Sequence, residues 1–141
     1  MKTSCSSWSY HRTIKSKKMD QLQWIKECAK NGLDGVELLF CHFPSTEKAY
    51  MIELKKACAD NYLSVAMVSA AGHLTVLDDI KRESEIVDIR KWADVACFMG
   101  APCVRFFCGS GAELAAGGDN LYRKVKDALV KIADCGAERG I

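Results

Sequence analysis

Two rhythms of hydrophobic positions alternate along this chain. Short runs of β-branched, aromatic and small residues, spaced as in strands, separate longer stretches whose apolar residues recur at three and four. Thr3–Trp8 is the first short run, and a helical pattern from about Met19 to Asn31 follows, with Leu22, Ile25 and Ala29 on one face and Gly32 as its stop. Gly35–Cys41 (GVELLFC) predicts a second strand. After Pro44, Ser45 or Thr46 is placed to cap a helix that buries Tyr50, Leu54, Ala57 and Cys58 and ends near Asn61. Leu63–Ser69 predicts the third strand. The longest helix is expected from Asp79 to Met99, with Ile86, Ile89, Ala93, Ala96 and Cys97 on its stripe and Gly100 at its end. Cys103–Cys108 (CVRFFC) predicts the fourth strand. A last helix opens near Asp119 or Asn120, carries Leu121, Val125, Ala128 and Ile132 on one stripe, and stops at Gly136 or Gly140.

Four strand–helix units in succession define an α/β protein with parallel strands joined by right-handed crossovers. Two architectures accept the pattern. A flavodoxin-like open parallel sheet suits the length, whereas a (β/α)8 TIM barrel needs about 250 residues, so four units would be its N-terminal half. On the second reading, residues 1–141 are a single partial domain and Ile141 opens what would follow. Gly109, Gly111, Gly117 and Gly118 make a loop suited to a barrel mouth; no Gly-Lys-Ser/Thr follows, so it is not a P-loop.

Composition narrows the function classes. With 49% hydrophobic residues the chain is globular, and 20 basic against 18 acidic side chains, a net +2, disfavour a nucleic-acid groove. Lys15–Lys18 reads as a solvated loop. No apolar run reaches the roughly 18 residues of a membrane span and none near the N-terminus resembles a signal peptide, so a cytoplasmic protein without a membrane partner is expected. The eight cysteines are then expected as thiols. Cys28, Cys58, Cys97 and Cys135 fall on helices and are expected in the core. Cys5, Cys41 and Cys108 lie near strand ends, but their spacing is too irregular to assign a metal ligand in this chain.

Particular residues bring a family into view. The strand ending in Ser-Trp-Ser-Tyr, the run NGLDGVELL, the stretch ADVACFMGAPCVRFFCG and the closing ADCGAERGI together resemble the first half of xylose isomerase-like TIM barrels, the sugar phosphate isomerase/epimerase superfamily. The resemblance implies a parent enzyme that moves a proton next to a sugar carbonyl, assisted by a divalent metal: manganese or magnesium, with zinc as the alternative. In that family the metal is held by Glu, Asp, His and Glu after strands five to eight. Those positions have no counterpart here, so no catalytic residue is assigned, no metal is expected on this chain alone, and the chain alone is expected to be inactive.

What this half would contribute is the other wall of the pocket, since barrel sites gather at the C-terminal ends of strands. Trp8 and His11 follow the first strand, His42 the second and His73 the third. Trp8, His42, His73 and Arg105 are the substrate-binding candidates; Glu37 and Gly109 are the structural ones at the pocket. Two alternatives accept the same pattern: an AP endonuclease-like zinc phosphodiesterase fragment, disfavoured by the near-neutral charge, and a non-catalytic open-sheet binding or regulatory domain, disfavoured by Trp-Ser-Tyr-His where acidic residues belong.

Glu37 and Arg105 interrupt apolar strands. Period-two alternation puts Val36, Leu38 and Phe40 on one face, with Val104, Phe106 and Cys108 on the corresponding face, both toward helices. Glu37 and Arg105 then point inward and are expected to pair across the third strand, where breaking a fully buried pair would cost about 3–5 kcal/mol. The edges of strands one and four are expected to be covered by self-association or by the missing C-terminal half, with a small sugar as the parent's other partner.

Overall fold

In the computed structural model, which describes residues 1–141, four parallel strands lie in the order β1-β2-β3-β4: Ser4–Ser6, Gly35–Leu39, Ser64–Ser69 and Val104–Arg105. That order excludes the flavodoxin-like alternative, in which the second strand would lie outside the first. The arrangement is that of half a (β/α)8 barrel. Five helices accompany the sheet: α1 (His11–Lys15), α2 (Gln21–Lys30), α3 (Lys48–Asp60), α4 (Asp79–Met99) and α5 (Gly111–Glu138). No helix is long and apolar enough to cross a membrane.

The core fills the space between one face of the sheet and α2, α3 and α4. Val36, Leu38, Val65 and Val68 meet Trp24, Ile25, Leu54, Cys58, Val95 and Ala96 there. Val65 and Val68 share that face although an odd spacing separates them, because a bulge pairs Val36 with Val65 but Glu37 with Met67. A second cluster, with Ile86, Ile89, Leu121, Val125 and Ala128, joins α4 to α5. The stripe of α2 is rotated from expectation: Gln21, Trp24, Ile25 and Cys28 are buried, while Leu22 and Ala29 are half-buried. Cys97 is exposed rather than in the core, whereas its neighbours Val95 and Ala96 are buried.

Strand ends depart from the sequence pattern for local reasons. The first strand stops at Ser6, whose Oγ accepts the Trp8 N–H and caps a 3-10 turn over Ser7–Tyr10 that runs into α1. The second stops at Leu39 and gives way to a 3-10 turn over Phe40–His42, so Phe40 lies outside the strand, at the cavity and edge-on to Trp92 of α4. The fourth contracts to Val104–Arg105, and Phe106 is half-buried while Cys108 is exposed. Helix boundaries show the same pattern of near agreement. Glu47, not Ser45 or Thr46, occupies the N-cap of α3, and Ser45 Oγ accepts the Glu47 N–H. Helical turns precede Asp119, and Gly118 (φ 56°, ψ −156°) kinks α5 where a helix start was expected. Asp78 caps α4, accepting from the Ile80 and Lys81 N–H groups, and Gly100 ends it in the left-handed region.

Candidate functional site

The C-terminal ends of the strands surround a cavity of about 790 Å³. Trp8 and His11 reach it from beyond β1, Phe40 and Cys41 from beyond β2, Ala70 and Gly72 from beyond β3, and Arg105 and Phe107 from β4. Two large aromatic rings are left for a ligand, Trp8 at 58% and Phe107 at 61% exposure. Trp8 is held against the His11 ring, centroids 4.2 Å apart, and Phe107 lies 4.8 Å from the Arg105 guanidinium carbon. Lys15 also lines the cavity, so the expected solvated lysine loop begins one residue later.

A polar layer sits at the base. Ser69 Oγ donates to Glu37 Oε1 at 2.5 Å, Arg105 Nη2 donates to the same oxygen at 3.3 Å, and Arg105 Nε donates to Ser69 Oγ at 3.1 Å. Glu37 and Arg105 thus meet across the third strand, with Ser69 as the bridge. Burial raises the Glu37 carboxyl, but hydrogen bonds from Ser69, Ser6 and Arg105 outweigh it and hold the group below its ordinary 4.5. The Arg105 side chain is 41% exposed, so the pair is far more solvent-screened than a fully buried one.

Behind the β1 and β2 ends lies a histidine pair. His11 Nδ1 and His42 Nε2 are 2.9 Å apart, and His42 Nδ1 is 2.8 Å from Ser7 Oγ, which also accepts the Leu39 N–H. His42 is buried; burial and the neighbouring His11 push its pKa below 6.5. Cys41 completes a group with His11 and His42 whose ligand atoms lie within 4.8 Å of one another. The spacing of cysteines alone gave no sign of this group. The adjacent Cys41-His42 pair was its only local signal, and His11 joins it through the parallel pairing of β1 with β2.

The remaining candidates separate. His42 is turned away from the main cavity and faces a neighbouring one between α1 and the start of α2. His73 does not line the main cavity either: its Nε2 bonds Glu113 Oε2 at 2.5 Å, and the same oxygen accepts from Thr75 Oγ1. Hydrogen bonds from Thr75 and His73 hold Glu113 below its ordinary value. Gly109 (φ +125°) lies against Thr75 and His73, where a Cβ would overlap Thr75 Oγ1. It positions the loop and does not line the main cavity. Trp8 and Arg105 are therefore the candidates at the cavity, with Glu37 directly beneath.

Residues 25–141 match the family described as xylose isomerase-like TIM barrel, and the chain belongs to that family. No curated protein matches it. Among solved structures it is similar to a putative xylose isomerase from Rhodospirillum rubrum (14% identity, TM-score 0.79), over 100% of this chain and 52% of that one. It is also similar to a probable 3-DHS dehydratase involved in petrobactin synthesis from Bacillus anthracis (18%, TM-score 0.77), over 100% and 50% of the two chains. A third is D-psicose 3-epimerase with D-tagatose from Clostridium cellulolyticum (13%, TM-score 0.77), again over 100% and 50%. The chain thus spans about half the length of these structures.

Proposed function

We propose that this chain forms one wall of the active site of a sugar, or sugar phosphate, isomerase or epimerase. The observation that carries the reading is the cavity at the strand C-termini, where exposed Trp8 and Phe107 flank the Glu37–Ser69–Arg105 layer. Aromatic faces match the C–H faces of a sugar ring, and a charged, hydrogen-bonded floor matches its hydroxyls. Family membership supports the reaction class. Lys15 and Arg105 line the cavity and no carboxylate does, which favours a ligand rich in oxygen lone pairs or carrying a phosphate.

The same lining does not fit manganese or magnesium, which require carboxylate or carbonyl oxygens. Glu37 lies beneath the lining rather than in it, and its Oε1 is engaged by Ser69 and Arg105. No proton-transfer step is therefore assigned to residues of this chain, and a metal-assisted step requires groups beyond those lining the cavity. The isolated chain is accordingly a binding half without turnover. The outer edges of β1 and β4 are the places where further parallel strands, from a second copy or a C-terminal half, would complete the layer.

Calorimetric titration of the chain with ketohexoses, aldohexoses and their phosphates tests the binding reading. Saturable binding weakened roughly fivefold by Trp8→Ala, the loss of about 1 kcal/mol of stacking, is expected. Binding by none of these ligands overturns it. Chelator-insensitive isomerisation by the chain alone would overturn the division of labour. A stable monomer by sedimentation at high concentration would remove self-association through the edges.

A further inference from the structure

We propose that His11, Cys41 and His42 form a site for a borderline-soft divalent cation of the zinc class, in the wall between the main cavity and its neighbour. This goes beyond the sugar-binding reading and does not depend on it. The three residues come from two turns, α1 after β1 and the 3-10 turn after β2, and their ligand atoms already lie within 4.8 Å of one another. Tetrahedral zinc, with bonds of about 2.0–2.1 Å to nitrogen and about 2.3 Å to sulfur, sets N···N near 3.3 Å and N···S near 3.5 Å. The imidazole nitrogens, at 2.9 Å, need to part by only a few tenths of an ångström. Cys41 is exposed, so its side chain is free to swing inward.

The second shell is in place. Ser7 is fully buried, its Oγ is fixed by the Leu39 N–H, and it is positioned to accept from His42 Nδ1–H. That bond directs the His42 Nε2 lone pair toward His11, which is how an outer oxygen orients a ligating histidine. Two imidazoles and a thiolate select zinc or cobalt over magnesium, calcium or manganese. Binding displaces one proton, from the Cys41 thiol to solvent, while the His11 proton that bonds His42 Nε2 moves by exchange with solvent from Nδ1 to Nε2 and frees the Nδ1 lone pair for the metal. Three protein ligands leave a fourth position. His11 and Cys41 line the main cavity, so that position opens toward it.

Cobalt(II) titration of the reduced chain is the test. A thiolate-to-cobalt charge-transfer band that saturates at one equivalent is expected, absent from Cys41→Ser and requiring at least tenfold more cobalt in His11→Ala and Ser7→Ala. Cys97→Ser, which alters an exposed thiol on α4, should leave it unchanged. No band in the parent chain, a band that survives Cys41→Ser, or one abolished by Cys97→Ser overturns the site. Should Cys41→Ser fail to fold, alkylation of the unaltered chain decides: zinc(II) must slow Cys41 modification and a chelator restore it, and equal rates overturn the proposal.

Discussion

Glu37 and Arg105 sit in strands that are otherwise apolar, and their polar groups meet each other and Ser69 between them. The sequence made this pair legible, since only an inward-facing pair reconciles charged residues with the alternation of both strands. Its strength was not legible, because exposure depends on what stands in front of the sheet. With Arg105 at 41% exposure, the coupling in a Glu37→Gln/Arg105→Met double-mutant cycle is expected to be about 0.5–1 kcal/mol, read from urea unfolding. A coupling of zero would mean that the two side chains act separately. The Glu37 carboxyl is lower in the folded chain than its ordinary 4.5, so the unfolded state binds the proton first. Its contribution is complete above pH 4.5 and is lost as pH falls from there through the folded pKa. Glu37→Gln should flatten that part of the stability profile, and an unchanged acid limb would refute the assignment.

At the scale of elements, helices were more legible than strand ends. Asp79–Met99 is found as expected because caps and periodicity act within one segment: Asp78 at its start, Gly100 at its end. The ends of β1, β2 and β4 depend on hydrogen bonds from other segments, such as Ser7 Oγ to the Leu39 N–H, and a sequence pattern cannot register them. The same reason hid the His11–Cys41–His42 group and separated His42 and His73 from the cavity. Local and tertiary constraints predict different costs at two glycines. Gly100 (φ +76°) faces open space, so Gly100→Ala pays only for the left-handed backbone, about 1 kcal/mol. Gly109 combines φ +125° with the Thr75 and His73 side chains, so Gly109→Ala should cost about 2–4 kcal/mol and loosen the loop that carries Ser110. Equal shifts in the unfolding midpoint would show that the loop yields at Gly109.

For the molecule as a whole, the cysteines report how the helices are docked. All eight are free thiols, and their environments fall into distinct classes. Cys28 on α2, Cys58 on α3 and Cys135 on α5 are buried, so each marks the packing of a different helix. Burial, reinforced by Cys5, pushes the Cys28 thiol up to about 12, and burial takes Cys58 to about 11. The thiolate is the nucleophile, so these groups are disfavoured twice, by access and by protonation. Cys41, Cys97 and Cys108 are exposed. In chelator-treated protein, a disulfide reagent at neutral pH should therefore modify those three first. Cys28, Cys58 and Cys135 should react only through unfolding, slower by on the order of 10³-fold or more. Peptide mapping of the modified sites over time checks the order. Early modification of Cys28 would show that α2 is not held against β1 and β2, and with it would fall the geometry that brings His11 to His42.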